Sequence, residues 1–253
     1  MPDKIIKKKY SEWDDMVRHQ VKTLHSWLNY VKGVGRENMV KEDSIKYGIA
    51  EYLSIHCPEF ELESWHNVLP HTRHLDLKFI IQLDTNNIEN VCEFKQITDN
   101  TFTKSEEERF FADLCRLSLY KTNCKDKAKV KTYFLVAGKT LDAYPMMPKP
   151  KAKKGRKPLS VPKTPVYITS IPKWLSLDES EPEKTFKLSS QTEFVNFEKE
   201  YANDKSSVLA ARKIWLSGGQ VMQTKLVAIE GIGGDDGGFL VAAWEVGLKK
   251  DLK

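Results

Sequence analysis

The chain has 253 residues, of which 40% are hydrophobic, and 40 Lys and Arg side chains against 35 Asp and Glu leave a net charge of +5 at pH 7. This length is enough for one large domain, or for one domain with a small appendage, and the hydrophobic content supports a packed core. The positive excess is mild, so its position along the chain matters more than its total. No apolar run approaches the length that spans a bilayer, which argues against a membrane helix.

The chain contains four cysteines, Cys57, Cys92, Cys115 and Cys124, and none of them forms a Cys-x-x-Cys pair. Three of the four lie in segments that have the pattern of a strand or a helix. This usage predicts reduced thiols rather than a zinc site or a disulfide framework. Because residues 1–4 do not resemble a signal peptide, we expect a cytoplasmic protein.

Two amphipathic helices are predicted near the N-terminus. Apolar residues recur at helical spacing over 10–31, and Gly33 and Gly35 end that helix. The second helix is predicted over 37–56, and at about 100° per residue Glu42 falls on its apolar face. A carboxylate there is either paired or metal-bound, or it lies partly exposed in the first turns and interacts with the helix dipole.

Three strands are predicted next. Residues 60–68 alternate loosely, and residues 75–81 and 91–97 alternate more regularly between apolar and polar side chains. Turn-forming residues at 84–87 separate the last two strands, so we expect them to be antiparallel neighbours.

The polar face of this strand pair contains the candidate catalytic and metal-binding residues. Asp76 lies opposite the apolar face of its strand, and Glu93 and Lys95 share one face of the next strand. Antiparallel pairing allows the three side chains to converge. Two carboxylates and an amine are the groups needed to hold a hard divalent cation and to activate a water molecule.

A helix capped by Ser105 and ending at Asn123 is predicted to follow, and then a central strand over 131–137 with a nearly continuous apolar run. The order of elements is therefore helix, strand, strand, strand, helix, strand. The cations Lys104, Arg109 and Arg116, on or near the second of these helices, either face solvent or contact a phosphate backbone.

Beyond this core, alternation returns over 166–177, an acidic loop is expected over 176–183, and helices are predicted over 192–201 and 206–216. The segments 226–229 and 239–244 predict a β-hairpin around a glycine-rich turn.

Residues 145–165 contain seven Lys and Arg, no acidic residue, and six of the eleven prolines. Such a segment is not expected to form a core and predicts an exposed loop or linker. Its cations suit contact with a phosphate backbone, although a solvated loop or a nuclear-import tag has the same composition. The candidate nucleic-acid-binding residues are Lys149, Lys151, Lys153, Lys154, Arg156 and Lys157, with Lys163 nearby.

The order of elements and the residues Asp76, Glu93-Phe94-Lys95 and Glu42 resemble the PD-(D/E)xK nuclease superfamily, the restriction-endonuclease-like fold. That family has an αβββαβ core, an Asp at the start of one strand, Glu-x-Lys in the next, and often a Glu from the first core helix. The resemblance covers roughly residues 37–138. It departs from the motif at Leu75, which stands where the family often has proline.

The resemblance implies an α/β core with a mixed central sheet, to which the predicted elements outside it add an extra N-terminal helix and a C-terminal α+β extension packed on the core. The corresponding domains are a nuclease-like core over 1–144, a basic proline-rich loop over 145–165, and the extension over 166–253.

The resemblance also implies Mg²⁺-dependent hydrolysis of DNA phosphodiester bonds, of a restriction, phage-defence or repair kind, with Mn²⁺ as a substitute metal. Asp76, Glu93 and Glu42 would hold the metal, and Lys95 would orient or help to deprotonate the attacking water. A duplex cut needs two active sites, so we expect a homodimer, and the C-terminal region is a possible contact for a protein partner. The alternative is a non-catalytic nucleic-acid-binding or assembly protein that keeps the fold.

Overall fold

Alternating apolar residues place seven strands in one mixed β-sheet, which three α-helices flank in the part of the chain that is described. The computed structural model describes residues 13–36, 39–56, 60–64, 75–82, 87–97, 104–139, 171–188, 220–231 and 238–252. The expectation of a mixed α/β protein is confirmed. The helices are α1 (Trp13–Gly33), α2 (Glu42–His56) and α3 (Lys104–Asn123).

The strands of the sheet are β1 (Phe60–Ser64), β2 (Leu75–Gln82), β3 (Asn87–Ile97), β4 (Val130–Lys139), β5 (Glu183–Lys187), β6 (Val221–Glu230) and β7 (Phe239–Leu248). Their order across the sheet is β1-β2-β3-β4-β7-β6-β5. Two short 3₁₀ helices, Lys127–Lys129 and Lys249–Asp251, precede β4 and follow β7.

The first four strands follow one another along the chain in the predicted order. Strands β1, β2 and β3 form an antiparallel meander, so the predicted hairpin between β2 and β3 is confirmed. Helix α3 then crosses over to β4, which runs parallel to β3 and pairs Phe134 with Glu93. Strand β4 lies fourth of seven strands, so its predicted central position is also confirmed.

The C-terminal strands continue this sheet. Strand β7 pairs antiparallel with β4, and β6 pairs with β7, as the predicted hairpin requires. Strand β5 completes the edge by pairing antiparallel with β6. No strand was predicted at β5, because Glu183, Lys184 and Lys187 give it the polarity of a loop, and its side chains stay largely outside the core.

Helices cover both faces of the sheet, so its central strands are apolar on both sides. Alternate residues of β4 enter two cores: Phe134 packs with α3, whereas Tyr133 and Leu135 pack with α1 and α2. Cys92 and Cys115 are buried free thiols and Cys124 is a half-buried one, as predicted, whereas Cys57 lies outside the described residues.

Several predictions fall outside the described residues: the basic segment over 145–165, the helices over 192–201 and 206–216, and residues 166–170 of the alternating segment over 166–177. The described end of that segment is irregular, and it buries Ile171, Trp174 and Leu175 in the core beside α3. Among the described residues, no helix is long and apolar enough to cross a membrane.

Candidate active site

Two carboxyl groups meet where β2 begins. The antiparallel register places Leu77 of β2 opposite Cys92 of β3, so at the neighbouring position Asp76 lies opposite Glu93. Both side chains are buried, and Asp76 Oδ2 accepts a 2.7 Å hydrogen bond from the backbone N–H of Phe94. The sheet therefore holds the first two predicted ligands side by side.

Their proximity changes the acidity of Glu93. Burial raises the pKa of Glu93 to about 8, and the charge of Asp76 and a hydrogen bond to it act in the same direction. The guanidinium of Arg116 and the ammonium of Lys95 oppose this rise in pKa without cancelling it. Near neutral pH, without a bound metal, Glu93 therefore retains its proton for much of the time.

Lys95 lies two residues after Glu93, on the same face of β3, as predicted. Its ammonium lies 3.0 Å from Asp113 Oδ2 and 3.8 Å from Glu42 Oε1. Asp113 comes from α3 and Glu42 from α2, so two helices on different sides of the strand hold the amine. Glu42, Asp76, Glu93 and Lys95 therefore belong to one connected cluster.

Glu42 lies at the N-terminal end of the apolar stripe of α2. Helix α2 begins at Glu42 rather than at residue 37, and the Glu42 side chain is 35% exposed in the first turn. Features of both alternatives are therefore observed, because the carboxylate is partly exposed and also forms an ion pair with Lys95 at 3.8 Å. The carboxylate still reaches Lys95, because Gln96 Nε2 donates a 2.8 Å hydrogen bond to the carbonyl of Val40 and fastens β3 to the start of α2.

Sequence reasoning missed three members of this cluster. Lys46, one turn after Glu42 on α2, lies 2.8 Å from both Asp76 Oδ1 and Glu63 Oε1. Asp113 forms an ion pair with Arg116, three residues later on α3. Lys46 and Asp113 had a detectable signal, since each lies at helical spacing from another charged residue. Glu63 had none.

Arg116 is neither a solvent-facing residue nor free for a phosphate backbone. Its Nε lies 3.4 Å from Glu93 Oε1, and its side chain is largely buried against the sheet. Arg109, by contrast, is exposed. Arg116 turns inward because it lies on the face of α3 that carries Asp113.

The whole cluster has the charge that suits a divalent cation. Its carboxylates are Glu42, Glu63, Asp76, Glu93 and Asp113, and its cations are Lys46, Lys95 and Arg116. Fully ionised, the cluster has a net charge of −2. Hard carboxylate oxygens, two of them on buried side chains in direct contact, are the donors that Mg²⁺ and Mn²⁺ prefer. The residues present therefore fit such an ion.

A complete three-ligand centre is not formed in the described part of the chain: no group of three or more His, Cys, Asp or Glu side chains there is arranged to hold a metal ion. Glu42 approaches the buried Asp76–Glu93 pair through the ammonium groups of Lys46 and Lys95. The predicted nucleic-acid-binding residues, Lys149, Lys151, Lys153, Lys154, Arg156 and Lys157, lie outside the described residues.

A polar cavity of about 370 Å³ lies where β4 begins and β7 ends, and the predicted site residues do not line it. Glu245 there contacts Lys121 at 3.4 Å and Lys131 at 2.8 Å. Burial lowers the pKa of Lys121, although Glu245 opposes this effect. Glu245 therefore offsets part of the charge of two lysines that the end of the sheet brings together.

The comparisons with known proteins leave this site to be interpreted from its own geometry. No family model matches the chain, and neither the curated proteins nor the solved structures contain a significant match.

Proposed function

We propose that this protein is a Mg²⁺-dependent DNA endonuclease, with Mn²⁺ as a substitute metal. The observation that carries the proposal is the buried contact between Asp76 and Glu93, with Lys95 on the same face two residues further on. The order α2-β1-β2-β3-α3-β4, with β3 and β4 parallel, supports a restriction-endonuclease-like core.

In this mechanism Asp76 and Glu93 would hold the metal, and Glu42 would contribute a further carboxylate from the first turn of α2. A bound Mg²⁺ would acidify a water molecule and neutralise the charge that develops on the phosphate. The Lys95 ammonium would orient the attacking water by donating a hydrogen bond to it, and would offset negative charge in the transition state. Asp113 holds the ammonium in position, since its carboxylate lies 3.0 Å away and is itself buried.

One observation favours a second candidate, a non-catalytic nucleic-acid-binding or assembly protein. Side-chain cations already contact both buried acids: Lys46 contacts Asp76 and Arg116 contacts Glu93. A site that is permanently neutralised in this way would keep the fold without the chemistry. The two candidates differ in whether a divalent metal produces cleavage.

The test is cleavage of supercoiled plasmid and linear duplex by the purified full chain, with Mg²⁺, with Mn²⁺ and with a chelator. We expect cutting only with metal. Asp76→Ala, Glu93→Ala and Lys95→Ala should each lower the rate by about a hundredfold or more, because each removes a metal ligand or the water-activating group. DNA affinity, measured by fluorescence anisotropy, should survive in all three variants.

Asp43→Asn is the matched control for Glu42→Gln, because Asp43 is an exposed residue in the same first turn of α2. We expect Asp43→Asn to cut normally and Glu42→Gln to cut slowly. A protein that binds DNA but cuts nothing with either metal favours the non-catalytic candidate. Normal cutting by Lys95→Ala would contradict the proposed mechanism.

A further inference from the structure

Lys46 is held by three carboxylates from three different elements. Its ammonium lies 2.8 Å from Asp76 Oδ1 on β2, 2.8 Å from Glu63 Oε1 on β1 and 3.8 Å from Glu42 Oε1 on α2. The Lys46 side chain is only 11% exposed. Burial alone would lower its pKa, but the bonds to Asp76 and Glu63 raise the pKa above its usual range, so it stays charged.

Two features of the local structure, the rotation of α2 and the backbone conformation of Glu63, accompany this arrangement around Lys46. Ile45 and Ile49 are buried, which fixes the rotation of α2 and directs Lys46 towards the β1–β2 edge. Glu63 has φ +49°, the single positive value among the described non-glycine residues, and side chains with a β-carbon rarely adopt that conformation. The Glu63–Lys46 ion pair helps to hold Glu63 in that conformation.

Lys46 lies on an oxygen that the proposed metal would need. Asp76 Oδ2 already accepts the N–H of Phe94, so Oδ1, the oxygen that contacts Lys46, is the one left for a cation. Fully ionised, the cluster has a net charge of −2 with Lys46 included, and −3 without it. An ammonium and a divalent ion on the same oxygen repel each other, so the two cations compete for it.

We infer that Lys46 is an internal cation that competes with the divalent metal for Asp76 and so sets the metal concentration at which the site is filled. This inference rests on the proposed metal site. When the metal binds, the Lys46 ammonium leaves Asp76 Oδ1 and keeps its contact with Glu63, whose partly exposed carboxylate gives it a second partner. Without metal, the Lys46 ammonium reduces the electrostatic repulsion between the carboxylates of Glu42, Glu63 and Asp76.

The test is a titration of the full chain with Mn²⁺, followed by the electron paramagnetic resonance signal of the free ion. Lys46→Met should bind Mn²⁺ about tenfold more tightly than the wild type, because no ammonium has to be displaced. Lys41→Met, which removes an exposed lysine just before α2, should bind like the wild type. Adding Asp76→Asn to Lys46→Met should abolish the gain.

A second measurement uses the wild-type chain and does not depend on how Lys46→Met folds. Acetylation of Lys46 and Lys41 by a soluble reagent is followed by mass spectrometry, with and without Mn²⁺. We expect Mn²⁺ to increase the labelling of Lys46 by severalfold and to leave Lys41 unchanged. Unchanged labelling of Lys46 at saturating Mn²⁺ would overturn the inference.

The outcomes separate this inference from the proposed function. If the wild type binds Mn²⁺ through Asp76 and cuts DNA, and Lys46→Met binds no more tightly, the inference fails and the nuclease proposal stands. If Lys46→Met binds more tightly but neither protein cuts DNA, the inference stands and the nuclease proposal fails. If neither protein binds Mn²⁺, both fail.

Discussion

At the scale of single residues, Glu93 lies in an environment that disfavours an ionised carboxylate. It lies on a central part of β3, buried beside a second acid, and only Arg116 and Lys95 offset its charge. A surface strand would leave the same Glu-x-Lys pattern ionised and without consequence. Burial therefore turns an ordinary pattern into a site whose charge state depends on what else binds there.

Glu93 predicts a specific dependence of stability on pH. Its pKa rises from 4.5 in the unfolded chain to about 8 in the folded one, so it stabilises the fold fully below pH 4.5 and loses that effect as the pH passes 8. In metal-free buffer, Glu93→Gln should remove this loss, which amounts to at most roughly 5 kcal/mol. Urea denaturation of both proteins from pH 5 to 9 measures it.

Asp43→Asn provides the control, because Asp43 is an exposed acid and should leave the pH dependence of the unfolding free energy unchanged. Parallel curves for the wild type and Glu93→Gln would show that Glu93 ionises normally in the folded protein. The same shift predicts that metal binding releases a proton near neutral pH.

At the scale of elements, α3 carries both a core face and a charged ridge. Phe111 and Leu114 pack into the core, while Asp113 and Arg116, one turn apart, lie over the polar face of β3. Asp113 holds Lys95 and Arg116 holds Glu93, so a single helix positions both motif residues on that strand.

Two ion pairs with the same spacing test how much burial matters. Asp113 pairs with Arg116 and Asp126 pairs with Lys129, each three residues apart, but Asp113 is 3% exposed and Asp126 is 53% exposed. Asp113→Asn should destabilise the protein by about 3 kcal/mol, because buried Arg116 and Lys95 lose their partner. Asp126→Asn should cost less than about 1 kcal/mol, since water screens that pair.

Chemical denaturation of the two variants at pH 7 gives both free energies of unfolding. Equal losses would mean that Asp113 is not part of a buried network in solution. A loss confined to Asp113→Asn, together with slower cleavage, would agree with a residue that positions Lys95.

At the scale of the whole molecule, the ends of the chain join in one structure. Helix α1, near the start of the chain, packs on β6 and β7 near its end. Arg18 Nε donates to the carbonyl of Val227, and Asn29 Oδ1 accepts the backbone N–H of Phe239. The N-terminal helix predicted as an addition to the core therefore covers the C-terminal half of the sheet.

Leu28 and Tyr30 test this role of α1. Leu28 is fully buried against the sheet, whereas Tyr30, two residues later, is 69% exposed. Leu28→Ala should lower the free energy of unfolding by about 2–5 kcal/mol, through lost burial and the cavity that remains. Tyr30→Ala should change it by less than about 0.5 kcal/mol.

Thermal and urea unfolding of the full chain check this expectation, with intrinsic fluorescence as the signal. A small effect of Leu28→Ala would mean that α1 is only loosely attached to the sheet. A single cooperative transition that shifts as a whole would show that α1 and the C-terminal strands unfold together.

The sequence alone determined where most of the helices and strands lie, and it placed Glu93 and Lys95 on one strand face and Asp76 on its neighbour. These are local properties, because periodicity along a segment sets which side chains share a face. Local signals failed at two places. Strand β3 begins at Asn87 rather than at residue 91, and the charged strand β5 was not predicted. Both depend on pairing with a neighbouring strand.

Only the tertiary structure decided which charged groups meet. The sequence left open whether Glu42 is paired or lies partly exposed, and the structure shows that it reaches the cluster from a partly exposed first turn, where Lys46, Glu63 and Asp113 join it from three elements. Such contacts depend on how each helix is rotated and where it crosses the sheet, which distant apolar contacts set. Periodicity along one segment determines neither the rotation of a helix nor the place where it crosses the sheet. These two properties set the distance and burial of each ion pair, and therefore its free energy.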